Sequence, residues 1–164
     1  MKSKSIVIRS HGGPEVLELV EADVPDPGPG EVRIRQRAIG LNFIDIYYRT
    51  GLYASTLPHG LGFEGAGVIE AVGAGVQGLK EGDRVAYPQG PIGAYAELRT
   101  MPTAMVVKLP NAISFEQAAA VPGATPQTRR VPRSVAANKV TTAWRSPGRE
   151  PAVGPQRRRR LPPA

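Results

Sequence analysis

The stretch "GFEGAGVIEAVGAGV" (residues 62–76) decides the fold that the sequence predicts, because strand-forming residues alternate there with glycines. Glycine inside a strand pattern marks a bulge, a tight bend or a close backbone approach. The spacing lacks the G-x-G-x-x-G form of a phosphate loop, and no helix pattern follows it. We therefore interpret the glycines as corners of a small, irregular β-barrel, at which only glycine adopts a positive φ. They are Gly62, Gly65, Gly67, Gly73 and Gly75.

Segments on both sides of this stretch also predict short strands. In residues 31–42, Val32 and Ile34 alternate with arginines at 33, 35 and 37, which is typical of a strand with one face in water. The other predicted strands are 5–9, 16–21, 93–101 and 104–110, of which the first two form a hairpin, and residues 80–88 predict a turn that leads into a further strand. The Pro/Gly-rich run 24–30 predicts a rigid loop.

Two short helices complete the predicted elements. Residues 43–51 predict a helix that Gly51 closes. In residues 114–120, Ser114 and Gln117 have the spacing of a capping box, and three alanines follow them. Pro122 and Gly123 then end the helical pattern at once.

The charge distribution divides the chain after residue 120. Residues 1–120 carry 11 Lys and Arg against 13 Asp and Glu, whereas residues 121–164 carry 10 against 1. The second part contains eight Pro and nine Arg but only six Val and Leu among its 44 residues. Such a composition cannot bury enough apolar surface to offset the entropy cost of ordering. We expect a folded domain over 1–120 and a disordered basic tail over 121–164.

The composition excludes several classes of protein. The sequence has no cysteine, so it can form neither a disulfide nor a thiolate metal site. Neither a signal peptide pattern nor the run of roughly 20 apolar residues that spans a membrane is present. We expect a cytoplasmic protein.

Five segments together resemble the zinc-independent quinone oxidoreductases of the medium-chain dehydrogenase/reductase superfamily. They are "HGGPEVLEL" (11–19), "AIGLNFIDIYYRTGLY" (38–53), "LGFEGAGVIEAVGAGVQGLKEGDRV" (61–85), "GAYAEL" (93–98) and "LPNAISFEQAAA" (109–120). The resemblance covers residues 5–120 and implies a mainly β fold with short helices, a GroES-like, partly open β-barrel that is the family's catalytic domain. It implies hydride transfer from NADPH to a quinone or related enone, without zinc.

The resemblance also implies a Rossmann domain for NADPH after the barrel. Residues 121–164 lack the strand, glycine turn and helix N-terminus of that fold, so we expect the domain to be absent and the chain to have little or no activity. Family members form homodimers whose interface lies largely in the missing domain, so we expect that interface to be lost.

The segment "NFIDIYYRTGLY" (42–53) carries groups that suit this reaction. Asn42 is an amide donor, Asp45 an orienting carboxylate or proton relay, and Tyr47 and Tyr53 offer phenol donors with flat faces. By resemblance, these four residues form the catalytic site and the start of the segment borders the nicotinamide. The cofactor-binding residues implied are Asn42, Phe43, Ile44, Asp45, Ile46 and Tyr47.

The alternative is that Phe43, Ile44 and Ile46 belong to the core, that Asp45 caps a local turn, and that the tyrosines pack amphipathically.

No metal ligand set is expected. Zinc-dependent relatives carry a Cys at the segment matching Leu41–Asn42 and a His–Glu pair where this chain has Phe63 and Glu64. We expect Glu64 to anchor its loop by hydrogen bonds, and His11 and His59 to be ordinary turn or surface residues.

Two hypotheses concern residues 121–164. The first is that they are a frameshifted or otherwise aberrant reading of a GC-rich coding region, since such frames are rich in Pro, Arg, Ala and Gly. The second is a genuine extension whose arginines at 157–160 bind anionic partners by charge alone, which would make the chain a non-catalytic GroES-like module. Without interleaved aromatic residues or a folded binding module around the arginines, specific nucleic-acid recognition is not expected.

Overall fold

The computed structural model describes residues 1–120 of the 164-residue chain. The predicted disordered tail, 121–164, lies outside the described residues. Within residues 1–120, neither helix has the length and hydropathy that crossing a bilayer requires.

The described part is mainly β with two short helices, as the sequence predicts. Two further single-turn 3-10 segments, Pro14–Val16 and Thr103–Met105, connect strands. In chain order the elements are β1 (Lys2–Ile8), β2 (Glu18–Asp23), β3 (Glu31–Ile39), α1 (Phe43–Thr50), β4 (His59–Gly60), β5 (Gly65–Val72), β6 (Arg84–Tyr87), β7 (Leu98–Pro102), β8 (Val107–Lys108) and α2 (Phe115–Ala119).

The strands form two sheets, and every strand pair in residues 1–120 is antiparallel. The smaller sheet has the order β2-β1-β4, and the larger has the order β7-β3-β5-β6-β8. The predicted hairpin of the first two strands is confirmed, with Lys2 opposite Asp23 and Val7 opposite Glu18. A single bridge between Ser5 and Ala96 joins β1 to the segment that precedes β7.

Strand β3 has the predicted alternation of buried and exposed residues except at Arg33. Arg33 is only 7% exposed, and its guanidinium pairs with Asp26 of the Pro/Gly-rich loop at 2.7 Å and with Glu70 of β5 at 3.5 Å. The register of β3 against β5 shifts between Arg33 and Ile34, and again between Gln36 and Ala38. The alternation of buried and exposed residues nevertheless continues past both irregularities, since Arg35 and Arg37 are exposed as predicted. Arg33 is the exception because it pairs with two carboxylates.

The glycines of residues 62–76 are present for two different reasons. Gly62 and Gly75 have φ of 86° and 75°, as the prediction requires. Gly65, Gly67 and Gly73 do not, and for them the prediction is wrong. A Cβ on Gly67 would overlap the carbonyl oxygen of Arg35 on β3, and one on Gly73 would overlap a loop carbonyl. Gly67 and Gly73 need glycine because another backbone approaches them closely, whereas a Cβ on Gly65 would meet the buried side chains of Gln36 and Tyr87.

The larger sheet encloses the main core, and α2 closes a second, smaller one. Ala119 of α2 packs with Ala38, Ala66 and Ala86 from three neighbouring strands. The predicted capping box of α2 is confirmed: the Gln117 N–H donates to Ser114 Oγ at 3.1 Å, and the Ser114 N–H donates to Gln117 Oε1 at 2.9 Å. The main core contains Val32, Ile34, Ile69, Val85, Tyr87, Ala94, Met101 and Val106.

Candidate functional site

Helix α1 carries the predicted site residues, and local sequence rules define both of its ends. Asn42 is the N-cap, and its N–H donates to the Asp45 carboxylate at 2.8 Å. Gly51 closes the helix with a φ of 79°, as predicted. Arg49 in the last turn donates to the Gly12 carbonyl at 3.1 Å, which ties the helix to the turn after β1.

Two side chains from distant parts of the sequence hold the N-terminus of α1. Asn42 Nδ2 donates to Glu64 Oε1 at 2.7 Å, and the Tyr95 hydroxyl donates to Asp45 Oδ2 at 2.8 Å. Asp45 and Glu64 are only 4% and 5% exposed. The expectation that Glu64 anchors its loop by hydrogen bonding is therefore confirmed, with Asn42 as the partner.

The electrostatics of this cluster follow from its burial. Burial raises the pKa of Asp45, and the N–H groups of Asn42 and Gly62 and the Tyr95 hydroxyl partly oppose that rise by donating to the carboxylate. The pKa of Tyr95 is also raised, first by burial and then by the negative charges of Asp45 and Glu64. A protonated Tyr95 therefore remains a donor to Asp45 throughout the physiological pH range.

The apolar side chains of α1 point away from the core. Phe43 is 77% exposed, and Ile44, Ile46 and Tyr47 are also exposed. The alternative that Phe43, Ile44 and Ile46 belong to the core is therefore wrong, although its suggestion that Asp45 caps the local turn is right. Exposed apolar groups clustered on one short, fixed segment are typical of a binding surface.

The tyrosines after Asp45 form one aromatic cluster. The rings of Tyr47 and Tyr53 lie 5.4 Å apart, and the Tyr53 N–H donates to the Tyr47 carbonyl at 3.1 Å. Tyr48 lies beneath them and contacts the rings of Tyr53 at 5.6 Å and Phe63 at 5.2 Å. The structure thus places Tyr47 and Tyr53 next to each other and partly exposed, with their ring planes at 59°, so that two phenol groups share one aromatic surface.

Sequence reasoning missed Tyr95, which belongs to the segment before β7. The Tyr95 hydroxyl donates to Asp45, which lies fifty residues earlier in the sequence, and the Tyr95 ring lies against Gly62. No local pattern in "GAYAEL" distinguishes this tyrosine from an ordinary strand residue. Tyr95 also borders an apolar groove of about 430 Å³, and the apolar residues that line it include Ile6, Leu17, Leu19, Ile39 and Leu41.

The donor set around α1 does not match a zinc site. Asn42 has no thiolate to offer and hydrogen-bonds Glu64, while Phe63 packs on Tyr48. Among residues 1–120, no three His, Cys, Asp or Glu side chains converge as a metal site would require. His59 makes local hydrogen bonds to Ser55 and Gly60, and His11 lies against Gly51.

Comparisons with known proteins agree with this architecture. Residues 28–111 match the family model of the alcohol dehydrogenase GroES-like domain. A quinone oxidoreductase of Pseudomonas aeruginosa is 59% identical over 120 residues, which are 73% of this chain and 37% of the relative.

Two crystal structures have the same fold over the matched part. The quinone oxidoreductase of Pseudomonas syringae pv. tomato is 58% identical with a TM-score of 0.69, and the match covers 71% of this chain and 36% of the relative. The Escherichia coli quinone oxidoreductase, crystallised with NADPH, is 49% identical with the same TM-score and the same coverage. The chain spans a little over a third of the length of these relatives. It therefore belongs to the alcohol dehydrogenase GroES-like domain family and is similar there to the N-terminal part of quinone oxidoreductases.

Proposed function

We propose that residues 1–120 are the catalytic domain of an NADPH:quinone oxidoreductase, which transfers hydride to a quinone or a related enone in the cytoplasm. The observation that carries the proposal is the N-terminus of α1. Its polar side chains, Asn42 and Asp45, are fixed by buried hydrogen bonds, while Phe43, Ile46 and Tyr47 are exposed beside them. A fixed apolar surface next to a fixed amide donor can stack and orient planar rings before reaction.

The geometry suggests a role for each predicted residue. Asn42 Nδ2 carries two hydrogens and gives one to Glu64, so the other can donate to the oxygen that gains charge when a quinone is reduced. Asp45 is nearly inaccessible, which favours the orienting role over a proton relay. Tyr47 and Tyr53 are accessible and would contact the quinone. Phe43, Ile44 and Ile46, with Asn42, Asp45 and Tyr47, would border the nicotinamide.

NADPH, when bound, supplies the hydride, so the protein needs only to position the rings and stabilise the oxyanion. We also propose that zinc is not required. At the positions where the zinc-dependent relatives carry metal ligands, this chain has the amide of Asn42 and the aromatic ring of Phe63.

Quinone binding can be tested on the full chain by ¹⁵N–¹H NMR with tetramethyl-1,4-benzoquinone, whose substituted ring resists addition of amines. We expect shift changes at residues 42–53 that weaken in Tyr47→Ala. The matched control is Leu19→Ala, which alters the apolar groove and should leave these changes in place. Shift changes confined to the groove, or equal effects of the two variants, would contradict the proposal.

Cofactor affinity provides a second test. The described residues hold no glycine-rich pyrophosphate loop, and the sequence of 121–164 contains none, so binding should be weak. We expect no micromolar binding when nicotinamide fluorescence is followed during an NADPH titration. Micromolar affinity would show that the chain holds a complete dinucleotide site.

The division at residue 120 is also a proposal. The alignment with the Pseudomonas aeruginosa relative extends over 120 residues, about the length of the described part. We propose that residues 121–164 are an aberrant reading frame. Reading the nucleotide sequence beyond codon 120 in the other two frames tests this, because one frame should encode a helix and a Gly-Gly-Val-Gly-like loop. If neither does, the charge of +9 on residues 121–164 favours the basic extension, which predicts salt-dependent nucleic-acid binding that is lost with this segment.

A further inference from the structure

The loop between α1 and β4 contains a serine–histidine pair that the proposed function does not use. Ser55 Oγ lies 2.7 Å from His59 Nε2, and His59 Nδ1 lies 2.5 Å from the carbonyl oxygen of Gly60. Both side chains are half-buried, so water and small molecules still reach them. The pair is separate from the Asn42–Glu64 and Asp45–Tyr95 contacts.

The second contact determines which ring nitrogen carries the proton. A backbone carbonyl can only accept a hydrogen bond, so Nδ1 of the neutral ring must carry the hydrogen. Nε2 is then the unprotonated nitrogen, and it accepts the hydrogen bond of the Ser55 hydroxyl. This is the tautomer in which an imidazole can remove a proton from a serine.

Two further features hold the imidazole ring of His59. His59 belongs to β4, where it pairs with Ile8 of β1, so its backbone is fixed by the sheet. The edge of Tyr48 meets the imidazole at 86° with 6.3 Å between ring centroids. Tyr53, two residues before Ser55 in the sequence, is exposed, and its ring packs against the same Tyr48 that meets the imidazole.

We propose that Ser55 is a nucleophile activated by His59 and that it accepts acyl groups from small aryl esters. A nucleophile in hydrogen-bond contact with a base that a third group orients is the usual arrangement for covalent catalysis. With p-nitrophenyl acetate, Ser55 Oγ would bond to the carbonyl carbon while its proton passes to His59 Nε2. The ester C–O bond would break, and the products would be p-nitrophenolate and acetyl-Ser55.

The test is to incubate the full chain with p-nitrophenyl acetate, follow p-nitrophenolate by absorbance and locate acetyl groups by peptide mass spectrometry. We expect one acetyl group on Ser55, and none at that position in Ser55→Ala. General-base assistance is worth about 10²–10⁴-fold, so His59→Gln should slow acetylation of Ser55 by about a hundredfold. The matched control is Thr56→Ala, which removes the neighbouring exposed hydroxyl and should leave the rate unchanged.

Circular dichroism checks that each variant is folded. Unfolding the wild-type chain in urea should abolish acetylation of Ser55, which tests the same dependence on the folded pair without a substitution at His59. Acetyl groups only on lysines or the N-terminus, an unchanged rate in folded His59→Gln, or equal acetylation of Ser55 in urea would each overturn the proposal.

Discussion

Replacing Asp45 by alanine tests whether polar contacts, more than apolar packing, hold α1 in place. The substitution removes the acceptor of the Asn42 N–H and of the Tyr95 hydroxyl, both at 2.8 Å. Loss of a helix cap costs about 1 kcal/mol, and a partly buried hydroxyl without its acceptor costs about 1 kcal/mol more. We expect Asp45→Ala to destabilise the domain by about 2 kcal/mol, a factor of about 30 in the folding equilibrium.

Urea unfolding followed by far-ultraviolet circular dichroism measures this change. Fluorescence of Trp144, the one tryptophan in the sequence, is not a suitable probe because that residue lies outside the described domain. The control is Asp45→Asn, which keeps an oxygen acceptor and removes only the charge. It should cost less than Asp45→Ala. Equal losses in the two variants, or a loss below about 0.5 kcal/mol in Asp45→Ala, would refute the reasoning.

The pH dependence of the unfolding free energy is a second test of the role of Asp45. Because burial raises the pKa of Asp45 above its ordinary value of 3.8, the folded chain keeps this proton to a higher pH than the unfolded chain does. Wild-type stability relative to Asp45→Asn is therefore greatest below pH 3.8 and falls as the pH rises through the folded-state pKa. A difference that grows with pH would mean that the carboxylate is stabilised, contrary to its burial.

Four other substitutions test the fold. Gly67→Ala places a methyl group against the Arg35 carbonyl and should cost more than about 2 kcal/mol in urea unfolding, whereas Gly78→Ala, at a φ of 75° in open space, should cost about 1 kcal/mol. Burial raises the pKa of Tyr87 to about 12, so stability should fall as the pH rises from about 10 to about 12, and Tyr87→Phe should remove that part of the fall. Ser114→Ala removes the cap of α2 and should lower the urea-unfolding free energy by about 1 kcal/mol.

The parts of this fold that were predictable from sequence depend on neighbours along the chain. Helix α2 follows from the cap formed by Ser114 and Gln117, and the end of α1 follows from Gly51. The hairpin of β1 and β2 follows from two adjacent apolar runs. These features involve short separations, over which side-chain and backbone rules act directly. The candidate residues Asn42, Asp45, Tyr47 and Tyr53 were proposed from their functional groups and from the family resemblance, and they lie on one short segment.

The parts that were not predictable depend on contacts between distant segments. Arg33 is buried because Asp26 and Glu70 meet it from a loop and from another strand. Gly67 is required because β3 approaches it closely, and no local pattern shows that approach. The contact of Tyr95 with Asp45 is likewise a property of the folded chain, and so its part in the site became visible only in the structure.

The way in which α1 is held explains why its apolar side chains remain free. A surface helix of a globular protein is usually stabilised by burying its apolar face, and an isolated helix shorter than about 12–15 residues is marginal in water. Helix α1 has eight residues, and the residue it buries is Asp45. Apart from the contact of Tyr48 with Phe63, the helix is held by the cap at Asn42, the Tyr95 hydroxyl and the turn at Gly51. Since polar contacts on the inner side fix the helix, Phe43, Ile46 and Tyr47 can stay exposed without the segment losing its shape. A fixed backbone with exposed apolar side chains is what a surface that stacks planar rings requires.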